Sequence, residues 1–262
     1  MKIWTLLENT ACDDSFCVEH GLSLYIETEK HNILFDTGAS DAFCANAEKL
    51  GVDLSRVDIA VLSHGHFDHG GGLAAFLARN KTAPVYLHRD AFLPHFNVEG
   101  KDIGIDESLR ASERLVFTDD ELVIDEELSI FSCNTRERHH PSSAAGMLVK
   151  EGSELRPDEF LHEQYLLISE GEKRVLLSGC SHKGVINITE WFAPDVLIGG
   201  FHFMKLDTER DAQVMCDAAE KLLAFKTRYY TGHCTGEAQY AFLKALMGER
   251  LSYLATGSVI EI

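Results

Sequence analysis

The sequence predicts an α/β fold of alternating strands and helices whose strand ends carry the chemistry. Three observations lead there. Short apolar runs recur along the chain, helical patterns with one apolar face separate several of them, and most runs end in Gly, Ser, Asp or His. Loops leaving strand ends can bring polar side chains together without disturbing a core. With 262 residues and 45% apolar composition, the chain can bury a large core without disulfide or metal staples, and it reads as one domain over 1–262.

In chain order the strand-like runs are LSLYIET (22–28), NILFDTG (32–38), VDIAVLSH (57–64), PVYLH (84–88), QYLLIS (164–169), RVLLSG (174–179), PDVLIGG (194–200) and RYYTG (228–232). Only Glu29, Lys30 and His31 separate the first two, which therefore read as a hairpin. Helical patterns cover Ser40 to Leu50, where Phe43, Ala47 and Leu50 share a face and Gly51 is the stop, and then Gly72 to Arg79, Thr208 to Phe225 and Gly236 to Met247. Stretches 89–121 and 134–163 are polar, charged and weakly periodic; they read as loop or lid excursions.

Lys and Arg number 24 against 42 Asp and Glu, a net charge of −18. Such a surface repels nucleic acid and anionic membrane, which leaves a small molecule as the expected partner. Oligomeric state is not legible. The seven Cys follow no repeated spacing, the start MKIWTLLENTACDDSF lacks the basic-then-apolar pattern of a secretion signal, and no apolar run reaches the roughly 18 residues of a membrane span. A cytoplasmic protein with reduced thiols is expected.

The densest motif is Ser63-His64-Gly65-His66-Phe67-Asp68-His69-Gly70-Gly71-Gly72-Leu73, directly after VDIAVLSH. Imidazole with carboxylate suits a transition metal such as Zn²⁺ or Fe²⁺ rather than an all-oxygen calcium or magnesium cage. Glycines let the backbone turn side chains into one volume, and the following helix start favours an ionised Asp68. A solvated histidine cluster or tag would be terminal and would lack these turns. No Gly-rich phosphate loop with its lysine is present.

H-x-H-x-D-H after an apolar strand, preceded by Phe35-Asp36-Thr37-Gly38, resembles the metallo-β-lactamase superfamily. Glu19-His20-Gly21-Leu22-Ser23, Leu50-Gly51-Val52-Asp53, Gly179-Cys180-Ser181-His182, Gly199-Gly200-Phe201-His202 and Thr231-Gly232-His233-Cys234-Thr235-Gly236 are similar to a subgroup that includes the dihydropterin ribofuranosyl-aminobenzene phosphate synthases. The resemblance covers most of the chain and is weakest between 80 and 165. It implies a four-layer αββα sandwich with metals at one edge of the two sheets.

Carried over by position, the resemblance implies that His64 and His66 ligate a first ion, that Asp68 and His69 ligate a second, and that His233 completes the second site. The first ion needs a third nitrogen. His182 is expected to supply it, since RVLLSG delivers Cys180 and His182 two residues apart; His139, His140 and His162 compete, and Cys180 is a further ligand candidate or a neighbouring thiol. Asp36 is expected to accept a hydrogen bond that fixes loop backbone or orients a ligand imidazole. His202 takes the subgroup's position facing the metals, where it can bind an oxyanion or donate a proton. His20 is a weaker candidate, and His31, His88 and His95 read as solvated or structural. Cys12 and Cys17 lack a metal-binding spacing, while Met215 and Cys216 read as helix packing.

These residues lead to an expected metal-dependent hydrolase acting on a small ester or phosphoester. One or two divalent transition-metal ions, Zn²⁺ first and Fe²⁺ or Mn²⁺ as alternatives, would lower the pKa of a coordinated water towards about 7, with Asp68 orienting the water. Two alternatives stand beside it: metal-assisted group transfer in pterin (methanopterin-like) synthesis, and a redox or non-catalytic metal-binding protein. Lys101, Arg110, Arg136 and Arg138 are the candidate cations for an anionic substrate.

Overall fold

The computed structural model describes residues 1–142 and 146–262. Two seven-stranded sheets form its centre. The first runs in the order Val259–Glu261, Lys2–Leu7, Ser23–Glu27, Asn32–Phe35, Ile59–Val61, Val85–His88, Leu115–Thr118; the second runs Leu251–Tyr253, Arg228–Thr231, Val196–Ile198, Lys173–Leu177, Tyr165–Glu170, Leu128–Phe131, Glu121–Val123. Each sheet is antiparallel on one side and parallel on the other. From Asn32–Phe35 to Leu115–Thr118 all pairings are parallel, as they are from Lys173–Leu177 to Leu251–Tyr253.

Period-two alternation explains why the strands read as unbroken apolar runs: both faces are buried. Ile33, Phe35, Ile59 and Val61 point between the sheets, where they meet Leu166, Ile168, Val175, Leu177 and Ile198 of the other sheet. Their neighbours Leu34, Ala60 and Leu62 face outward against Phe43, Ala47, Leu73 and Phe76 of helices Ala42–Lys49 and Leu73–Arg79. On the far side Tyr165, Leu176 and Leu197 pack on helices Val185–Phe192, Ala212–Leu223 and Glu237–Met247. Three apolar interfaces thus join four layers, helix–sheet–sheet–helix. Each fully buried Leu, Ile or Phe contributes about 1.5–3 kcal/mol, so all three apolar interfaces hold the sandwich together.

The predicted helices form, each shortened by one to a few residues at its ends. Val185–Phe192 was not legible as a helix, because VINITEWF is rich in β-branched and aromatic residues of low helix propensity. Stretches 89–121 and 134–163 are not plain loops. Leu115–Thr118 completes the parallel side of the first sheet, and His95–Phe96 from one stretch pairs with Leu148–Glu151 from the other, which pairs with Glu154–Pro157. Exposed polar side chains on this small sheet hid its alternation, and the cross-pairing is a tertiary event. Among the described residues no helix is long and apolar enough to cross a membrane.

Candidate metal centre

The chemistry-bearing residues leave the C-terminal ends of the parallel strands, the usual place for a site in such sheets. Asp36 follows Asn32–Phe35, Ser63 and His64 follow Ile59–Val61, Cys180 and His182 follow Lys173–Leu177, His202 follows Val196–Ile198, and His233 follows Arg228–Thr231. Sharp exits cost conformational energy. Asp36, Ser181, His202 and His233 have φ of 60°, 57°, 56° and 49°, a left-handed conformation that costs of order 1–3 kcal/mol per residue. Gly65 is required between the two histidines, since a Cβ there would lie 2.0 Å from the Ala91 carbonyl oxygen.

Two groups of donors result. His64, His66 and His182 converge as one, and Asp68, His69, Cys180 and His233 as another; within each group the donor atoms lie within 4.8 Å of one another. All seven residues are buried. His64 Nε2 is 3.2 Å from His182 Nε2, and His69 Nε2 is 3.2 Å from His233 Nε2. Asp68 Oδ2 is 3.2 Å from His233 Nε2 and 3.8 Å from His69 Nε2, and Cys180 Sγ is 3.1 Å from His69 Nε2.

The hydrogen bonds behind the rings decide which nitrogens are free. Asp36 takes the backbone N–H and the hydroxyl of Ser63, both at 2.7 Å, and its Oδ2 lies 2.7 Å from His69 Nδ1, which donates to it. Because the Ser63 proton goes to Asp36, His64 Nδ1 is the donor in the 2.8 Å contact with Ser63 Oγ. Asn9 Oδ1, oriented by the Gly21 N–H, accepts from His233 Nδ1 at 2.9 Å. His64, His69 and His233 therefore all present bare Nε2 lone pairs. Two lone pairs facing each other at 3.2 Å repel unless a cation lies between them, and two ion–nitrogen bonds of about 2.05 Å at a tetrahedral angle span about 3.3 Å. The donor set fits ions of the zinc type.

Electrostatics agree with this. Burial, followed by repulsion among the imidazoles, holds His64, His66 and His182 well below the usual histidine range, so they are neutral donors at pH 7. Burial alone would raise Asp68, but His69, His233 and His66 outweigh it and hold the carboxyl well below its ordinary value. His69 moves the other way: burial opposes its charge, yet Asp36 and Asp68 prevail and raise it. The second group thus calls for positive charge, met by a proton or by a metal. Burial pushes the Cys180 thiol up, which leaves it protonated until an ion displaces the proton.

The other candidates fall in varied places. The His202 ring lies 4.6 Å from that of His182, and burial pushes its pKa down to about 4. His20 stands at the rim, its Nε2 3.4 Å from Asp68 Oδ2. His139 and His140 lie outside the donor groups and pair with Glu190, and His162 lies behind His66 rather than with His64 and His182. Arg136 and Arg138 donate to the carbonyls of Trp191 and Glu159, Arg110 pairs with Glu107, and Lys101 is exposed. Among the residues that sequence reasoning missed, Asn9 and Glu8 hold the ring and backbone of His233, and Glu163 takes the backbone N–H groups of His182 and Lys183. Lys205, exposed, acts electrostatically on His202. No local pattern marks any of them, since each reaches its partner across the sandwich or from a solvated loop.

An αββα sandwich with two adjacent donor groups at one sheet edge, one of three imidazoles and one that adds a carboxylate and a thiol, points to one superfamily of folds. Residues 18–223 match the metallo-beta-lactamase superfamily, and the chain belongs to it. It is 29% identical, over 100% of its own length and 96% of the relative's, to 7,8-dihydropterin-6-methyl-4-(beta-D-ribofuranosyl)-aminobenzene-5'-phosphate synthase of Methanocaldococcus jannaschii. Among solved structures, Tm1679, described as a metal-dependent hydrolase of the β-lactamase superfamily, superposes with a TM-score of 0.84 at 27% identity, covering 100% of this chain and 99% of that one. The metallo-beta-lactamase fold protein YhfI from Bacillus subtilis shares the fold at TM-score 0.62 and 14% identity, with 99% of each chain covered.

Proposed function

We propose that the protein is a metal-dependent hydrolase of a small, anionic ester or phosphoester, with His64, His66 and His182 holding one divalent ion and Asp68, His69, His233 and Cys180 a second. The observation that carries this reading is the set of inward-facing bare Nε2 atoms, fixed by Asp36, Ser63 and Asn9, beside an ionised Asp68. Zinc is the proposed ion on the N, O and S donor chemistry, with Fe²⁺ or Mn²⁺ next. When bound, such ions polarise a phosphoryl or carbonyl oxygen and activate water at neutral pH.

The chain's own residues would do the rest. Asp68, ionised and acceptor-only, would orient the attacking water by accepting a hydrogen bond from it. His202, neutral at pH 7, offers a ring N–H to charge developing on the substrate oxygen, a contribution of about 2.7–4 kcal/mol where such a donor is well aimed. His20 at the rim, pushed down to about 4 by burial and by His233, is a neutral base beside Asp68. Lys205 supplies the exposed cation that an anionic group would meet first.

Elemental analysis of protein purified without added metal, followed by a panel of chromogenic phosphomono-, phosphodi- and carboxyl esters, tests the proposal. Turnover of at least one class that stops on chelation and returns with the ion is expected. Less than half an equivalent of any transition metal after reconstitution would overturn it. A second reading, group transfer in pterin synthesis, is favoured by the full-length similarity to the dihydropterin synthase; uniform inactivity on the panel with both groups filled would select it.

A further inference from the structure

We infer that the segment from Asp158 to His162, together with His95, is a positioning element that fixes the rings of His66 and His182 from behind and so sets the affinity of the three-imidazole group. The inference rests on the reading that this group holds an ion. His95 and His162, each 1% exposed, stack at 3.8 Å between ring centroids, and the His66 ring lies 5.5 Å and 5.1 Å from them. Donor atoms of His66, His95, Asp158 and His162 fall within 4.8 Å of one another, which by count alone resembles a third ion site.

Protonation argues against a third ion. The Gly65 backbone N–H donates to His162 Nδ1 at 2.9 Å, so the proton of the neutral ring is on Nε2, 3.4 Å from Asp158 Oδ2. To ligate through Nε2, His162 would have to become an imidazolate. His95 is the opposite tautomer: its Nδ1 donates to the same Asp158 oxygen at 2.9 Å, leaving Nε2 bare. The Nε2 atoms of His66, His95 and His162 are all buried without a hydrogen-bond partner among the described residues. His66 is therefore held from this side by ring packing, edge-on to His95 at 75° between ring planes. The His95 ring, held by the Asp158 carboxylate, and the His162 ring, held by the Gly65 N–H between His64 and His66, thus form a fixed stacked pair against which His66 packs.

The same carboxylate serves the other ring. Asp158 Oδ1 accepts the Phe160 N–H at 2.6 Å, and the Phe160 ring lies parallel to His182, 6° apart at 4.4 Å. Phe160 accepts a φ of 56° to reach it. His182 Nδ1 has no hydrogen-bond partner among the described residues, so stacking rather than a hydrogen bond holds that ring.

The test is a Zn²⁺ titration of metal-stripped protein against a chromophoric chelator, repeated with Co²⁺ for its absorption spectrum, on wild type, His95→Leu, His95→Met and His95→Gln. His95→Leu and His95→Met are expected to weaken the ion at His64, His66 and His182 by roughly 10- to 100-fold, to change the Co²⁺ spectrum, and to leave total capacity at saturation and the second ion unchanged. His95→Gln, whose amide N–H can still donate to the Asp158 carboxylate, is expected to recover most of the loss. His95→Met keeps the test open should the leucine variant fail to fold. Two results would overturn the inference: apolar variants that bind like wild type, or loss of a whole equivalent at saturation with the other affinities unchanged, which would make His95 a ligand. A cleft of ≈ 230 Å³ lined by His95, Asp158 and His162 gives a third ion a way in, so a titration that stops at two equivalents reports chemistry and not access. Wild-type protein that binds no ion at all would instead overturn the reading of the three-imidazole group itself.

Discussion

The two donor groups share a sheet edge but are held by different means. In the mixed group, His69 and His233 each give Nδ1–H to a side-chain oxygen, Asp36 and Asn9, and Asp68 brings charge. In the all-imidazole group only His64 has such an oxygen partner among the described residues, Ser63; His66 and His182 are backed by other rings. Oxygen acceptors raise the basicity of a ligand ring and fix its angle more firmly than ring packing does. The mixed group is therefore expected to bind its ion more tightly, and the all-imidazole group to be the exchangeable one.

The largest effect that can break this comparison is expected for Asp68→Ala. Removing the one carboxylate should lower turnover of an active ester by about 10²–10³-fold and empty the mixed group, seen as the loss of the tighter ion in metal analysis. His182→Ala comes next: the weaker ion should be lost while the tighter one stays, whereas His140→Ala should retain both. Asp36→Asn keeps the shape but donates where it should accept, and about a 10- to 100-fold loss of affinity at the mixed group is expected by competition titration.

A pH series on metal-free protein sharpens the same contrast. His64, His66, His182, His162 and His202 are held below the ordinary imidazole value of 6.5 by burial. Below that pH the unfolded chain takes up protons that the folded one refuses, so folding stability falls as pH drops. His69, raised by Asp36 and Asp68, acts oppositely: its contribution is full below 6.5 and is lost as pH rises through its folded value. His20 and His88 are lowered by burial as well, and seven groups against one predict a melting temperature that falls between pH 7.5 and 5.5; a rise would show the buried rings to be charged. The smallest effect is expected for His88→Ala. His88 contacts Asp90 and no donor group, and metal content should be unchanged.

Some of this architecture could be read along the chain and some could not. NILFDTG and RVLLSG were legible as strands because both of their faces are buried, which makes the apolar run continuous. Glu121–Val123 and Glu154–Pro157 were not, since most of their side chains are exposed and the pairing partner, not the local pattern, makes them strands. The H-x-H-x-D-H donors were legible because four of them lie within one turn-rich segment. His95, Asp158 and Asn9 gave no signal: the contacts His95–His66, His95–Asp158 and Asn9–His233 span 29 to 224 positions, and no single window of sequence contains such a pair.

By itself the sequence determined the layered scaffold and the identity of the motif donors, because periodicity and dense local spacing are properties of short segments. Only the tertiary structure decided that His182 stands with His64 and His66 while His162 stands behind His66, and that Nε2 is the bare nitrogen of His64, His69 and His233. Those outcomes depend on hydrogen bonds such as Gly65 to His162 and Asn9 to His233, whose partners meet only after the two sheets have packed.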